Sequence, residues 1–525
     1  MTHHEEHGFT GGHSPWIIAL TVSMATFMEV LDTSIANVAL PHIAGNLSVG
    51  LTESTWVLTS YFVANAIVLP VSGWLATRLG RKRFYMTCVA LFTVSSFLCG
   101  VAPNLGLLVF FRVLQGIGGG GLAPSEQAIL RDTFPLRRLG MAMAIYGMAV
   151  VMAPAIGPTL GGWITDHFSW RWVFFINIPV GALSLLLSSR FVVDPPRLAE
   201  AKKRAGGIDY VGLGLVALGL GALEYVLDRG QELDWFAAPT IVTFSVVSFV
   251  ALASFVVWEW QHKDPVVDVR LFRYKGFAAA NLMMLVLGMS LYGSTVLLPQ
   301  YVQTWMGYSA QQAGMALSPG ALVIVALMPL VARLATRLDA RWLIAVGFGV
   351  LAMALLHMAH TLYPGIDFST AIWLRVYQAV GMAFLFVPIN TVVYAGIPPA
   401  KNNAVSGIVN LSRNMGGSIG IALVTTIISR RSQFHQATLV AHLDRGNQSL
   451  LAKIAALSQA LQHAGSTSVE AAREAYSVIY RVLGQQAQTL AYGDALLILG
   501  GVAAAMVPLV LLTARAEARA PALGH

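Results

Sequence analysis

Runs of about 20 apolar residues follow one another along nearly the whole chain, separated by short turns that hold most of the charge. A helix of that length crosses a hydrocarbon core about 30 Å thick. Within such a core every backbone N–H and C=O must be satisfied by the chain itself, which leaves only helices or a closed barrel. Barrels are written as short alternating strands, and the runs here are too long and too uniformly apolar for that. Only 11% of the 525 residues are charged, against about 25% in a soluble domain. The fold class is therefore an all-α polytopic membrane protein.

The runs divide into roughly fourteen spans. A polar tail, 1–15, precedes a six-helix block at 16–193. Two further spans occupy 208–260, a second six-helix block covers 276–512, and a polar tail, 513–525, follows. The one long polar stretch is 430–492. The net charge of +8 is explained by orientation. With the N-terminus inside, the inner loops collect 22 of the 33 Lys and Arg residues, including Arg78, Arg81, Lys82, Arg83, Arg131, Arg137, Arg138, Arg197, Lys202, Lys203, Arg204, Lys401, Arg515 and Arg519. The short outer loops hold only Arg171 and Arg229. Basic residues accumulate on the cytoplasmic side of membrane proteins, so both termini are expected in the cytoplasm and a nucleic-acid partner is not needed.

The start, MTHHEEHGFTGGHSPW, has no basic n-region, so no cleaved signal peptide is expected. Its histidines read as part of a solvated tail rather than a metal site. Cys88 and Cys99 lie eleven positions apart in one expected helix, roughly 16 Å, too far to bridge. Within 430–492, Thr467 and Glu470 form a capping box. Tyr476, Ile479, Tyr480 and Leu483 follow at helical spacing, which predicts an amphipathic helix on the outer surface. It either covers the protein's own mouth or offers a dock to a partner.

The chain repeats itself. LATRL occurs at 75–79 and again at 334–338, and RVLQGIGGGGLAP from Arg112 is echoed by RVYQAVGMAFLFVP from Arg375. The offsets are 259 (334 minus 75) and 263 (375 minus 112). Two matches at nearly one offset, at equivalent positions of the two blocks, imply a parallel repeat of two six-helix bundles with two extra helices between them. Parallel repeats with a site between the halves suit alternating access, and each LATRL then marks an inner gate.

Ionisable residues at membrane depth are costly and point to function. Glu29 and Asp32 lie three apart on the first span, on one helical face. Two carboxylates close together in a low dielectric do not both ionise easily. Such a pair suits a proton taken up on one side and released on the other, or a cationic substrate. Arg112, two turns inside the fourth span, needs a partner, and Asp32 is the natural one. Arg375 and Arg413 are also buried and read as structural. Glu126 is expected at the inner gate with Arg81 or Arg78. Glu224, Asp228 and Glu259 are expected to snorkel to water. In the fifth span Pro154, Gly157, Pro158, Gly161 and Gly162 allow close helix contact and a kink. GIGGGG at 116–121 is no phosphate loop, because it follows a membrane helix and lacks the GK[ST] end. Neither a catalytic constellation nor a metal cluster is apparent, and no cofactor is expected beyond the proton motive force.

These segments resemble the major facilitator superfamily. GWLATRLGRKRF is similar to its gate loop, RVLQGIGGG to its fourth-helix Arg motif and APAIGPTLGGWI to its antiporter motif. LDTSIANVALPHIAGNL, WRWVFFINIPVG and LDRGQELDWF resemble the fourteen-helix drug:H+ antiporters of the EmrB/QacA type. The resemblance implies a proton-coupled exporter of hydrophobic or amphiphilic drugs in the inner membrane, working with a periplasmic, EmrA-like adaptor and an outer-membrane channel. The reading of the residues has Asp32 and Glu29 exchange the proton and Arg112 tune them; the resemblance carries Asp32 over as the first-helix motif acid and Arg112 as the fourth-helix motif residue. It assigns the antiporter motif to Gly157, Pro158, Gly161 and Gly162, and the gate to Gly73, Arg78, Gly80 and Arg81. Two departures stand out: Thr77 occupies the position of the usual gate acid, so Glu126 is expected to substitute, and Glu29 is outside the general first-helix motif.

The resulting expectation is a multidrug efflux transporter working by drug/H+ antiport. The runner-up is an exporter dedicated to one solute such as a fatty acid, siderophore or metabolite. A membrane scaffold or sensor, and an embedded enzyme, fit the buried charges less well.

Overall fold

The computed structural model describes residues 12–195, 209–308, 310–398, 401–443 and 447–512. His3, His4, His7, Arg197, Lys202, Lys203, Arg204 and the tail 513–525 with Arg515 and Arg519 lie outside the described residues, as does the side chain of Arg137. We number the helices longer than ten residues: α1 Pro15–Asn46, α2 Trp56–Leu79, α3 Arg81–Gly100, α4 Leu105–Gly119, α5 Leu122–Thr133, α6 Leu136–His167, α7 Asn177–Phe191, α8 Tyr210–Arg229, α9 Pro239–Gln261, α10 Lys275–Met306, α11 Ala310–Ala335, α12 Ala340–Thr361, α13 Phe368–Val392, α14 Asn402–Ala441, α15 Gln448–His463 and α16 Ser468–Leu509. No strand occurs among the described residues.

Several of these helices start at a polar residue that takes an amide otherwise left orphaned. Asn104 accepts from the Leu107 amide before α4, Asp209 from Gly212 before α8, and Asp367 from Thr370 before α13. The Ser369 and Thr370 hydroxyls hold the Asp367 carboxyl down at about 2, so this cap stays charged at any physiological pH.

The repeat is visible in the packing. LATRL closes α2, the second helix of the first bundle, and recurs at the end of α11, the second helix of the second. RVLQG lies on α4 and RVYQA on α13, the fourth helix of each bundle. The bundles meet along two equivalent seams, α2 against α14 and α6 against α11, each pairing a second helix with a fifth. The extra helices α8 and α9 pack on each other, and α8 lies along α2 and reaches α14. Glu224 of α8 is 5% exposed and accepts from Ser418 Oγ at 2.7 Å, while Glu259 of α9 is fully buried. Neither snorkels to water, because α8 and α9 turn these faces inward, Glu224 to a hydroxyl of α14 and Glu259 into a buried site where its carboxylate oxygens accept no hydrogen bond from the described residues. Asp228 does keep part of its side chain exposed while accepting from Thr59.

Among the described residues, length and apolarity mark twelve helices as able to cross a membrane, or up to thirteen with α6 counted through its bend. The expected fourteenth, α14, falls outside that criterion because Asn402, Asn403, Ser406, Asn410 and Arg413 dilute its apolarity. Those side chains are nonetheless buried. The 430–492 stretch is mostly helix rather than loop. α14 runs on to Ala441, α15 folds back, and the Thr467–Glu470 capping box starts a helix that continues without a break into the membrane. Leu483 of the expected apolar face is buried, but Tyr476 and Tyr480 are exposed.

α10 and α14 cross at glycines. A Cβ on Gly416 would collide with the Leu285 carbonyl, and one on Gly420 would lie 2.5 Å from the Met289 carbonyl oxygen. Gly416→Val is expected to lower the unfolding midpoint of detergent-solubilised protein by several degrees, an overpacking penalty of about 1–3 kcal/mol. Gly349→Ala, whose Cβ meets nothing within 4 Å, should leave it unchanged or raise it.

Candidate functional site

Asp32 sits on α1 inside the first bundle, 1% exposed, and three donors converge on it. Arg112 Nη1 of α4 donates to Oδ2 at 2.6 Å, Gln115 Nε2 to Oδ1 at 3.0 Å, and Asn177 Nδ2 of α7 to Oδ1 at 2.6 Å. The Arg112 guanidinium is fully buried. It also donates to the Val57 carbonyl at 2.8 Å and to Gln115 Oε1 at 2.9 Å. It lies 4.4 Å from the centroid of the Tyr61 ring, in cation–π contact. Arg112 answers the carboxylate as its position in the sequence suggests.

Glu29, one turn earlier, does not share this pocket. It turns toward α2, where Asn65 Nδ2 donates to Oε1 at 3.1 Å and the Tyr61 hydroxyl at 3.3 Å. Its second oxygen accepts no bond from the protein. Tyr61 thus joins the two acids: its hydroxyl serves Glu29 and its ring face serves Arg112.

Glu126 is displaced from its expected role. It is fully buried and accepts a short hydrogen bond from Ser23 of α1. Arg81 instead pairs with Asp132 and donates to the Ala128 carbonyl at 2.9 Å. The reason is helical register. Asp132 lies six residues beyond Glu126 on α5, at the end nearest Arg81, whereas Glu126 faces the interior beside α1. Glu29 and Glu126 belong to one bundle and Arg413, on α14, to the other. Arg413 donates to the Tyr146 hydroxyl at 2.5 Å, Tyr146 to Asn410 at 3.0 Å and Asn410 to Gln127 at 2.8 Å. Asn414 Nδ2 donates to Asn65 at 3.4 Å. A hydrogen-bonded chain therefore crosses between the bundles beside the acids.

The gate loop is braced without an acid at Thr77. A Cβ on Gly73 would lie 2.6 Å from the Asn403 carbonyl oxygen, so only glycine lets α2 and α14 touch there. Thr77 accepts from Asn403 Nδ2 at 3.3 Å. Gly80 turns the chain at φ +92°, a conformation suited to glycine. Asp194 then caps the next helix through the Lys82 amide at 2.8 Å. Arg78 reaches Asp264 at 3.4 Å, and Lys401 reaches Asp268 at 2.6 Å. Both acids come from the 262–274 connection between α9 and α10.

The antiporter-like motif lies where α6 crosses α1. A Cβ on Gly157 would collide with the Ser34 side chain, and one on Gly161 would lie 3.1–3.3 Å from Ile35, whereas Gly162 faces open space. Pro154 accepts from Ser34 Oγ at 3.4 Å, and the segments 138–154 and 156–167 diverge by 42°. Pro158 follows within the bend and packs toward Gly314 of α11. Tyr61, Asn65, Asn177, Tyr146 and Asn410 are additional members that the sequence reading does not single out. Their one signal is a polar side chain inside an apolar run.

Two repeated helical bundles facing each other across buried charges form the architecture of a membrane transporter. The chain belongs to the major facilitator superfamily, whose family profile, described as Major Facilitator Superfamily, matches residues 22–421, and it falls in the EmrB-type branch. It is 39% identical to the multidrug export protein EmrB of Escherichia coli (strain K12) over 451 residues, 85% of this chain and 87% of that protein. It is 38% identical to the fatty acid resistance protein FarB of Neisseria gonorrhoeae over 449 residues, 86% and 87% of the two chains. The solved structure of the human organic anion transporter MFSD10 superposes with a TM-score of 0.58 at 13% identity, covering 94% of this chain and 100% of that one, and shares the fold.

Removing one partner of a buried ion pair strands the other charge. Arg112→Gln is expected to destabilise the protein by about 3–5 kcal/mol, read as thermal unfolding in detergent. Adding Asp32→Asn in the same chain should restore part of the loss, and a purely additive double variant would contradict the pairing.

Proposed function

We propose that the protein exports hydrophobic and amphiphilic compounds in exchange for protons. It would sit in the inner membrane with both termini in the cytoplasm and α14 counted as the fourteenth span. The identity to EmrB along most of both chains supports multidrug export. The single observation carrying the proton reading is the division of labour between the two acids on α1. Asp32 is saturated by Arg112, Gln115 and Asn177, whereas Glu29 keeps one oxygen unbonded beside the seam. A proton arriving at Glu29 changes its bond with Tyr61, and Tyr61 stacks on the cation that holds Asp32. Asp32 and Glu29 then exchange the proton, and Arg112 sets how readily Asp32 accepts it.

Transport follows by rocking of the bundles about the α2–α14 and α6–α11 seams. The inner gate comprises Gly73, Arg78, Gly80 and Arg81, with Asp132 and Asp264 in the place the sequence reading gave to Glu126. The bent α6, with Pro154, Gly157, Pro158, Gly161 and Gly162, is the pivot against α1. Drugs would be held chiefly by burial of apolar surface. A periplasmic adaptor and an outer-membrane channel complete the export path, with the exposed Tyr476 and Tyr480 on the outer arm as the adaptor contact. The relationship to FarB favours a second reading, export dedicated to a fatty acid. Competition decides: a multidrug exporter is inhibited by many unrelated compounds, a dedicated one by few.

In proteoliposomes with an imposed pH gradient, Asp32→Asn is expected to abolish gradient-driven dye efflux. Undiminished efflux in this variant would overturn proton coupling through α1. Tyr476→Ala with Tyr480→Ala is expected to reduce co-purification with an EmrA-type adaptor at unchanged membrane insertion. Full recovery of the adaptor would remove the arm from the interface.

A further inference from the structure

The two bundles carry the same arginine and answer it differently. Arg112 and Arg375 stand 263 positions apart in matching stretches, RVLQG and RVYQA. Each donates to the glutamine three residues on, Arg112 to Gln115 at 2.9 Å and Arg375 to Gln378 at 2.7 Å. The first bundle supplies Asp32 as the counter-charge. The same offset carries Asp32 to Thr295 on α10 (32 plus 263). Arg375 points there: Nη2 donates to Thr295 Oγ1 at 3.0 Å, and Nη1 to Ser294 Oγ at 3.0 Å. The second bundle thus keeps the cation and its glutamine and puts hydroxyls where the carboxylate stood. Arg375 is 8% exposed, and among the described residues no acidic side chain pairs with it. An arginine keeps its charge when buried, and neutral hydroxyls do not compensate it as an anion does.

Arg375 and Thr295 line a narrow cleft whose walls are otherwise apolar: Leu291 of α10, Leu317 and Ile324 of α11, and Val151 with Pro154 of α6. In this conformation it has room for about one water. α6 belongs to the opposite bundle, so the cleft widens when the bundles part along the α6–α11 seam. A lone buried cation at the head of an apolar cleft matches an amphiphilic anion: the charged head replaces the missing carboxylate and the tail lies along the walls.

We propose that Arg375 and Thr295 form a binding site for the carboxylate of an amphiphilic acid carried by this protein. The site rests on the export reading and gives it a substrate class: anionic amphiphiles are read in the second bundle, away from the acids of the first. Thr295, lacking charge, leaves the place open that Asp32 fills in the other half.

The test compares dodecanoate with dodecanol for binding to the full chain in lipid nanodiscs, each corrected for protein-free nanodiscs. It is run at about pH 8, where a carboxylic acid is ionised. The native protein is expected to prefer dodecanoate by about 10-fold or more, the scale of a charge-assisted hydrogen bond. Arg375→Gln and Thr295→Asp should each bring that preference close to unity. Thr295→Asp keeps the arginine and supplies an internal carboxylate, so it carries the test even if Arg375→Gln does not fold. A native protein without the preference, or a Thr295→Asp variant that retains it, overturns the proposal. Binding needs no gradient, so failure of proton-driven efflux counts against the export reading and not against this site.

Discussion

Charge that cannot reach water has to be answered from within the protein, and the interior of this chain is organised by that demand. Arg112 and Asp32 have no solvent to share, so both carboxylate oxygens of Asp32 and the Nε and Nη1 of Arg112 are taken up by each other and by Val57, Gln115 and Asn177. These contacts tie α1, α2, α4 and α7 together at one point. In a medium where apolar side chains gain nothing by leaving lipid for protein, helices associate through close packing and polar contacts. The buried pair is therefore also a large part of what defines the first bundle. The glycines at the α10–α14 crossing, where backbones touch, do the same in the second without an ion pair.

Much of this was legible from the sequence. Recurring apolar runs specify the helices, and the LATRL and RVxQ echoes specify the two-bundle repeat seen in the α2–α14 and α6–α11 seams. The pairing of Arg112 with Asp32 follows from having one cation and few acids at that depth. Other features were not legible because they depend on which way a face points. Glu29 and Asp32 are three apart, close enough to suggest a shared pocket, yet α1 presents one to the seam and the other to the bundle interior. Glu126 was assigned to the gate by its nearness to the helix end. A difference of six residues along α5 decides the matter, and Asp132 takes Arg81 instead. Asp264 was invisible because a connection distant in sequence brings it to Arg78, beside Thr77. In the 430–492 stretch the Thr467–Glu470 capping box makes one helix legible, whereas the extension of α14 and all of α15 carry no apolar run to reveal them.

The buried charges divide unevenly between the bundles. Setting aside the Arg81–Asp132 pair, Glu29, Asp32, Glu126 and Arg112 belong to the first bundle, Arg375 and Arg413 to the second. Taken formally, the first holds three negative charges and one positive, the second two positive, and the sum is zero only across the seam. In a low dielectric such a division pulls the bundles together. In the proposed cycle a proton on one of the three acids would weaken that attraction, and an anion at Arg375 would weaken it from the other side. Both events would bias the same element, the contact between the bundles, toward opening. Two ligands that shift one equilibrium are coupled by necessity, and the size of the coupling is set by how differently each binds the open and closed arrangements. The hydrogen bonds from Tyr146 to Asn410 and from Asn410 to Gln127 join the two bundles in this structure. Parting the bundles there would break them, and in the proposed cycle protonation or cargo would have to outweigh them.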